Sequence, residues 1–157
     1  MTTDDQYDSL FLMFGDRYVV PWRLLKAQAR AESALDPRAQ SPAGAQGISQ
    51  FMPATFKEWS GKCDIKDADV WNPQHAIQCQ AAYMSALIDM FSAPRQAQGV
   101  VSQSNHAGEK ALAAYNWGMG NLRRCIEDHG DAWRDHLPDE TKSYIEKILR
   151  EFAETWK

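Results

Sequence analysis

The chain has 157 residues, of which 44% are hydrophobic and 24% charged, so its composition predicts one folded domain with a substantial core. Its formal net charge of −4, without a dense Lys/Arg cluster, argues against a nucleic-acid partner. No apolar run approaches the ~20 residues of a membrane-spanning helix, and the acidic, polar residues 1–5 are unlike a secretory signal peptide.

Helical signals dominate the chain from Pro21 onwards. Pro21 suits the first turn of a helix that continues to Ala34, and Asp36-Pro37 ends it because the residue before a proline avoids the helical conformation. After a Gly-rich turn, residues 53–59 predict a short helix. Further helices are predicted from Asn72-Pro73, over 109–115 and 121–128, and from Pro138, with a polar loop over 92–108 and a break at 116–120.

The two longest predicted helices each carry an apolar stripe at helical spacing. Few stretches alternate in the manner of β-strands, so the predicted fold is all-α, or α with a minimal sheet. The stripes consist of Ile77, Ala81, Met84, Ile88 and Phe91 in the middle helix, and of Tyr144, Ile145, Ile148, Leu149 and Phe152 in the last helix.

The cysteines leave the redox state open. Cys63 and Cys79 could form a disulfide in an oxidising compartment, or these two and Cys125 could be reduced, buried small side chains. The four histidines show no metal-ligand spacing, and the acidic residues within 64–69 lack the pattern of a calcium loop. We therefore expect neither a metal nor another cofactor.

Glu32 is a lone carboxylate at the end of an amphipathic helix, followed by the Gly-rich turn 44–53. Residues 32–33 with this turn, residues 114–118 and residues 140–144 form three motifs in a fixed order. Together they resemble the catalytic domain of soluble lytic transglycosylases. This resemblance implies a lysozyme-like single domain with a glycan-binding cleft, assigned to residues 21–157, with residues 1–20 as an extension packed on or flanking it.

The resemblance implies that Glu32 cleaves the β-1,4 bond between N-acetylmuramic acid and N-acetylglucosamine without a second carboxylate. A partly apolar pocket would keep its carboxyl protonated near neutral pH, ready to protonate the leaving oxygen. The carboxylate then takes the proton of the muramic acid 6-hydroxyl, and a 1,6-anhydro product forms. Without the motifs, Glu32 would be read as a solvated carboxylate at a helix end.

The motifs assign substrate-binding or supporting roles to further residues. Ordinary structural roles stay open for several of them: a helix-end hydroxyl for Ser33, turn chemistry for Ser41, simple core for Met52 and a first-turn carboxylate for Glu140. Ser49 departs from the family, which usually has a large apolar residue there, so we expect it to reshape a subsite wall. The implied substrate-binding residues are Ser41, Gln50, Met52, Tyr115, Asn116, Glu140 and Tyr144, of which Tyr144 and Tyr115 would orient the acid, with Ser33 and Trp117 in support.

Two other functions compete with this interpretation. A relative of goose-type lysozyme would hydrolyse the same bond with water, which Glu140, the only candidate for a second carboxylate, would activate if it lies close enough. A peptidoglycan-binding or virion structural module would keep the fold without catalysis. The sequence also predicts a monomer that acts on peptidoglycan glycan strands. A bacteriophage origin is expected, with synthesis in the host cytoplasm and action on the wall, either after release through a holin or as part of the virion.

Overall fold

The computed structural model describes residues 3–92 and 106–155, and most of these residues are helical. Within these ranges β-pairing is limited to two isolated bridges, Gln40 with Gln46 and Gln46 with Phe51, so the all-α prediction is confirmed. No helix in the described part is long and apolar enough to cross a membrane. The helices are α1 Asp8–Tyr18, α2 Trp22–Ser33, α3 Pro53–Lys62, α4 Pro73–Ser92, α5 Ala107–Trp117, α6 Met119–His129 and α7 Asp139–Glu154, with 3-10 helices at Thr3–Asp5 and Gly130–His136.

The chain forms two compact units. The first unit comprises Met1–Tyr83 and Ile148–Lys157, and the second comprises Met84–Lys147, so α4 and α7 contribute to both. In the first unit α1 packs against α2; in the second, α5 packs against α6, and α6 against the 3-10 helix that follows. The largest fully buried side chains include Leu25, Ile48, Phe51 and Ile77 in the first unit, and Leu112, Leu122 and Ile145 in the second.

The structure changes the predicted bounds in three regions. Helix α1 lies in the predicted extension, whose separation from a catalytic domain at residue 20 stays a proposal. Of the predicted loop 92–108, its first residue ends α4, residues 107–108 belong to α5, and residues 93–105 lie outside the described residues. The predicted break at 116–120 is wrong in extent, because Gly118 alone separates α5 from α6. Its φ of 99° supplies the change of direction, and Asn121 Nδ2 donates to Trp117 O at 2.8 Å across it.

The predicted apolar stripes face the interior over most of their length. Ile77, Ala81 and Met84 are fully buried, whereas Ile88 and Phe91 at the end of α4 are half-buried. The α7 stripe behaves in the same way: Tyr144, Ile145 and Ile148 are buried, and Leu149 and Phe152 are half-buried.

Candidate active site

Glu32 lies in the last turn of α2 and is half-buried. The helix ends directly after it, because Ala34 and Leu35 both adopt the left-handed conformation, with φ of 54° and 63°. Such angles are uncommon without glycine, and they cost conformational energy that the surrounding structure must offset. The Ala34 N–H donates to Arg30 O at 2.9 Å, which closes the last turn. The carboxylate is thus carried at the end of a rigid helix, next to a sharp turn.

Ser33 ties this end of α2 to the Gly-rich turn. Its hydroxyl donates to Ile48 O at 2.7 Å, and Ala29 O lies 3.2 Å from the same oxygen. The helix-end role that the sequence left open is therefore present, but the shorter bond reaches across to the turn. Ser33 fixes the position of the Glu32 turn relative to residues 46–51.

The segment 39–51 is held together largely by its own hydrogen bonds. Gly47 N–H donates to Ala39 O at 2.9 Å, and Gln46 and Phe51 exchange backbone bonds of 2.9 and 3.1 Å. The Ser41 hydroxyl accepts the Ala45 N–H at 3.0 Å, and Gly44 N–H donates to Ser41 O at 3.0 Å. The turn chemistry that the sequence left open for Ser41 is therefore present.

Gln50 also braces this segment. Its backbone has a φ of 50°, and its side-chain Nε2 donates to Ala39 O at 3.0 Å and to Gly47 O at 2.9 Å. Gln50 is therefore not an ordinary surface amide. Both of its N–H groups donate inside the loop, and neither of these bonds uses the acceptor sites of its Oε1.

Gly47 and Gly44 are glycines for different reasons. At Gly47 the φ is 80° and an added Cβ would lie 2.3 Å from Val70 O, so both the conformation and the space require glycine. At Gly44 the φ is 97°, but the nearest atom to an added Cβ is Met52 Cε at 4.0 Å. Met52 itself is 45% exposed, which excludes the simple core role for its side chain.

Ser49 does not behave as expected. Its side chain is fully buried, and its hydroxyl donates to Gln80 Oε1 at 2.9 Å. The expectation that Ser49 reshapes a sugar subsite wall is therefore wrong, because the side chain points into the interior of the first unit. Gln80 and Gln28, which are both fully buried, were not among the predicted residues.

An aromatic cluster supports the end of the Gly-rich turn. The Phe51 ring lies 5.9 Å from that of Phe56 and 6.3 Å from that of Tyr83, and Tyr83 lies 4.9 Å from Trp59, measured between ring centroids. Burial, with a smaller contribution from the charge of Glu58, raises the pKa of the Tyr83 phenol. The phenol therefore stays neutral, and the cluster serves as packing for the turn.

The remaining motif residues belong to the second unit. Tyr115, Asn116 and Trp117 are half-buried in the last turn of α5, and Asn116 Oδ1 accepts the hydroxyl of buried Thr141 at 2.9 Å. This hydrogen bond joins α5 to α7 and fixes the direction of the Asn116 amide. Thr141 was not among the predicted residues, although it lies inside the third motif.

On α7, Glu140 and Tyr144 are one turn apart, so their side chains emerge from the same face of the helix. Glu140 is exposed in the first turn, as expected of a carboxylate favoured by the helix dipole. Tyr144 is buried, with 9% of its surface exposed.

The cysteines are free thiols in the structure. The Tyr18 hydroxyl lies 3.6 Å from Cys63 Sγ, and burial together with neighbouring Cys63 raises the pKa of the Cys79 thiol to about 12. Cys63 and Cys79 are thus close to each other, and their disulfide stays a prediction for oxidising conditions. Among the residues that the structure describes, no group of three His, Cys, Asp or Glu side chains could hold a metal ion.

Comparison with known proteins defines the class. The sequence model of the Transglycosylase SLT domain family matches residues 9–137, and the chain belongs to this family. The structure resembles that of an inactive mutant of lytic transglycosylase Slt from Pseudomonas aeruginosa, with a TM-score of 0.77 and 26% identity over 97% of this chain and 24% of that one. The fold is therefore the lysozyme-like, all-α fold of these enzymes.

Relatives with curated names point in the same direction. Membrane-bound lytic murein transglycosylase F of Haemophilus influenzae is 33% identical over 139 residues, which cover 83% of this chain and 25% of the relative. Soluble lytic murein transglycosylase of Escherichia coli is 27% identical over 153 residues, covering 91% of this chain and 22% of the relative. The chain thus spans about a quarter of the length of these relatives.

Proposed function

We propose that this chain is a peptidoglycan lytic transglycosylase that cleaves the bond between N-acetylmuramic acid and N-acetylglucosamine. The observation that carries the proposal is the place of Glu32 in a chain that belongs to the SLT family. Glu32 ends α2 and lies next to Ser33, whose hydroxyl fixes the Gly-rich turn by its bond to Ile48 O. Relatives over most of this chain are named lytic murein transglycosylases.

In the proposed reaction Glu32 works first as an acid and then as a base. Its carboxyl proton passes to the leaving glycosidic oxygen while the bond from the muramic acid C1 to that oxygen breaks. The carboxylate then accepts the proton of the 6-hydroxyl, whose oxygen forms a bond to C1. The substrate acetamido group stabilises the positive centre between these steps. One bond breaks and one forms, the proton on Glu32 is restored, and no water is consumed.

The other motif residues are proposed to bind the glycan. In the first unit, Ser41 retains its O–H as a donor and Gln50 its Oε1 as an acceptor, while exposed Met52 offers an apolar contact. In the second unit we propose substrate contacts for the motif residues Tyr115, Asn116, Glu140 and Tyr144, with Trp117 in support.

The test is the product released from purified sacculi. Wild-type protein should release muropeptides that end in 1,6-anhydro-muramic acid, identified by mass spectrometry, and Glu32→Gln should release none while it unfolds at the same temperature. Glu58→Gln is the matched control, because Glu58 is an exposed carboxylate of the same unit, paired with Lys62. Activity retained in Glu32→Gln would refute the assignment. Reducing ends would indicate hydrolysis, and no product from wild type would favour a binding module.

We propose separately that the protein is a bacteriophage enzyme that acts on the cell wall of the host. A bacteriophage enzyme that reaches the periplasm through a holin should lyse cells only when the two proteins are co-expressed. Lysis without a holin would contradict that route. The predicted monomer can be checked by light scattering after gel filtration.

A further inference from the structure

Three fully buried polar side chains connect the helix of Glu32 to the Gly-rich turn. Gln80 on α4 donates from Nε2 to Leu25 O at 3.0 Å and to Gln28 Oε1 at 2.8 Å, both on α2. Its Oε1 accepts the Ser49 hydroxyl at 2.9 Å. Each of the three side chains is 0% exposed. We call Gln28, Ser49 and Gln80 the buried amide cluster.

The cluster lies directly behind the residues proposed to act on the glycan. Gln28 is four residues before Glu32, so the two side chains emerge one turn apart on the same face of α2. Leu25, whose carbonyl also binds Gln80, is about two turns before Glu32. On the other side, Ser49 immediately precedes Gln50 in the chain. The cluster therefore contacts both the helix that carries the acid and the turn that carries a sugar-binding residue.

The stabilisation gained by burying side chains does not by itself explain why these three positions are polar. Three apolar side chains of similar size would fill the same space without the need to satisfy buried amide and hydroxyl groups. Apolar contacts, however, tolerate sliding, because burial of apolar surface has no preferred direction. A buried network of hydrogen bonds is satisfied in only one arrangement of its partners, since each bond restricts both a distance and an angle.

We propose that Gln80 is a positioning residue. Through Gln28 and Ser49 it holds the last turn of α2, which carries Glu32, in register with the Gly-rich turn, which carries Gln50. Ser33 provides a second connection, from the residue after Glu32 to Ile48 O. With both connections intact, the Glu32 carboxyl group and the Gly-rich turn keep a fixed separation. This inference rests on the proposed function of Glu32.

The experiment compares two buried glutamines on α4. Gln80→Met removes the cluster's central amide at similar volume. Gln78→Met is the matched control, because Gln78 is 8% exposed and donates to Tyr18 OH on α1 at 3.1 Å rather than to α2. Both variants should lose comparable thermal stability. With soluble glycan oligomers as substrate, Gln80→Met should lower kcat about 10- to 100-fold and move the pH profile, with a smaller change in KM. Gln78→Met should leave both unchanged.

A milder pair decides the matter if Gln80→Met fails to fold. Ser49→Ala removes the donor to Gln80 Oε1, whereas Ser49→Thr keeps a hydroxyl, so the proposal expects kcat to fall in the first and to recover in the second. Normal kcat and pH profile in folded Gln80→Met, or in Ser49→Ala, would overturn it and leave the cluster a structural role. Failure of the proposed function would look different: wild type would release no anhydro product, or Glu32→Gln would match wild type.

Discussion

Gly47→Ala probes how strictly the Gly-rich turn is built, because two independent costs coincide at this residue. At a φ of 80°, a side chain costs about 1–2 kcal/mol through contact of Cβ with the backbone. The added Cβ would also lie 2.3 Å from Val70 O and 3.3 Å from Val70 C. Both are backbone atoms, so relief requires the chain to shift, at a cost of about 1–3 kcal/mol. The expected loss of unfolding free energy is about 2–5 kcal/mol.

Two other glycines separate these costs. Gly44→Ala meets only the conformational cost, about 1–2 kcal/mol, because its Cβ would have 4.0 Å to the nearest atom. Gly61 lies in α3, where an added Cβ would meet no neighbouring atom within 4 Å. Gly61→Ala should therefore stabilise the protein by about 0.5–1 kcal/mol.

The assay is urea and thermal unfolding of the three variants beside wild type. At about 2–4 °C per kcal/mol for a chain of this size, Gly47→Ala should lower Tm by roughly 4–20 °C. It should also lower activity, because Ile48, the partner of Ser33, is the next residue. A Gly47→Ala variant within about 0.5 kcal/mol of Gly44→Ala would refute the reasoning, since the Val70 contact would then carry no cost.

Two further predictions concern a buried thiol and a buried hydroxyl. Burial and neighbouring Cys63 raise the pKa of the Cys79 thiol to about 12, compared with about 8.5 for an unfolded thiol. The stability that the neutral thiol contributes is therefore fully present below about pH 8.5 and is lost as the pH rises towards 12. Above about pH 9, the unfolding free energy measured with urea should fall more steeply with pH in wild type than in Cys79→Ala, by about 1.4 kcal/mol per pH unit. Equal slopes for the two proteins would contradict this. Thr141→Val should cost about 1 kcal/mol by removing the bond to Asn116 Oδ1, and should lower kcat/KM on glycan oligomers. Thr141→Ser should restore both, and a serine variant no better than valine would exclude the hydrogen bond as the cause.

The helices could be predicted because their signals are local. Proline at the starts of α3 and α4 and a stripe such as Ile77, Ala81 and Met84 depend only on neighbours along the chain. The extent of the break after α5 could not, because it depends on whether Gly118 alone can change the chain direction.

The buried amide cluster shows where sequence reasoning failed in the site. Gln80 lies three residues after Ile77 and four before Met84, inside the apolar stripe of α4, and this position was the available signal. A glutamine there is tolerable only if partners from distant segments satisfy its amide, and those partners, Leu25 O, Gln28 and Ser49, are 31 to 55 residues away in the chain. Spacing along one helix contains no information about them.

The structural roles that Ser41 and Gln50 have in the turn are compatible with the sugar-binding roles proposed for them. A serine hydroxyl has one donor and two acceptor sites, so Ser41 can accept the Ala45 N–H and still donate to a sugar oxygen. Gln50 donates its two N–H groups to Ala39 O and Gly47 O, so only its Oε1 is left to form a further hydrogen bond, as an acceptor. A glycan group bound there must therefore be a donor, either a hydroxyl or the acetamido N–H, and not the acetamido carbonyl. If the turn binds the glycan as proposed, the bonds that preorganise it therefore also restrict which face of the substrate it recognises.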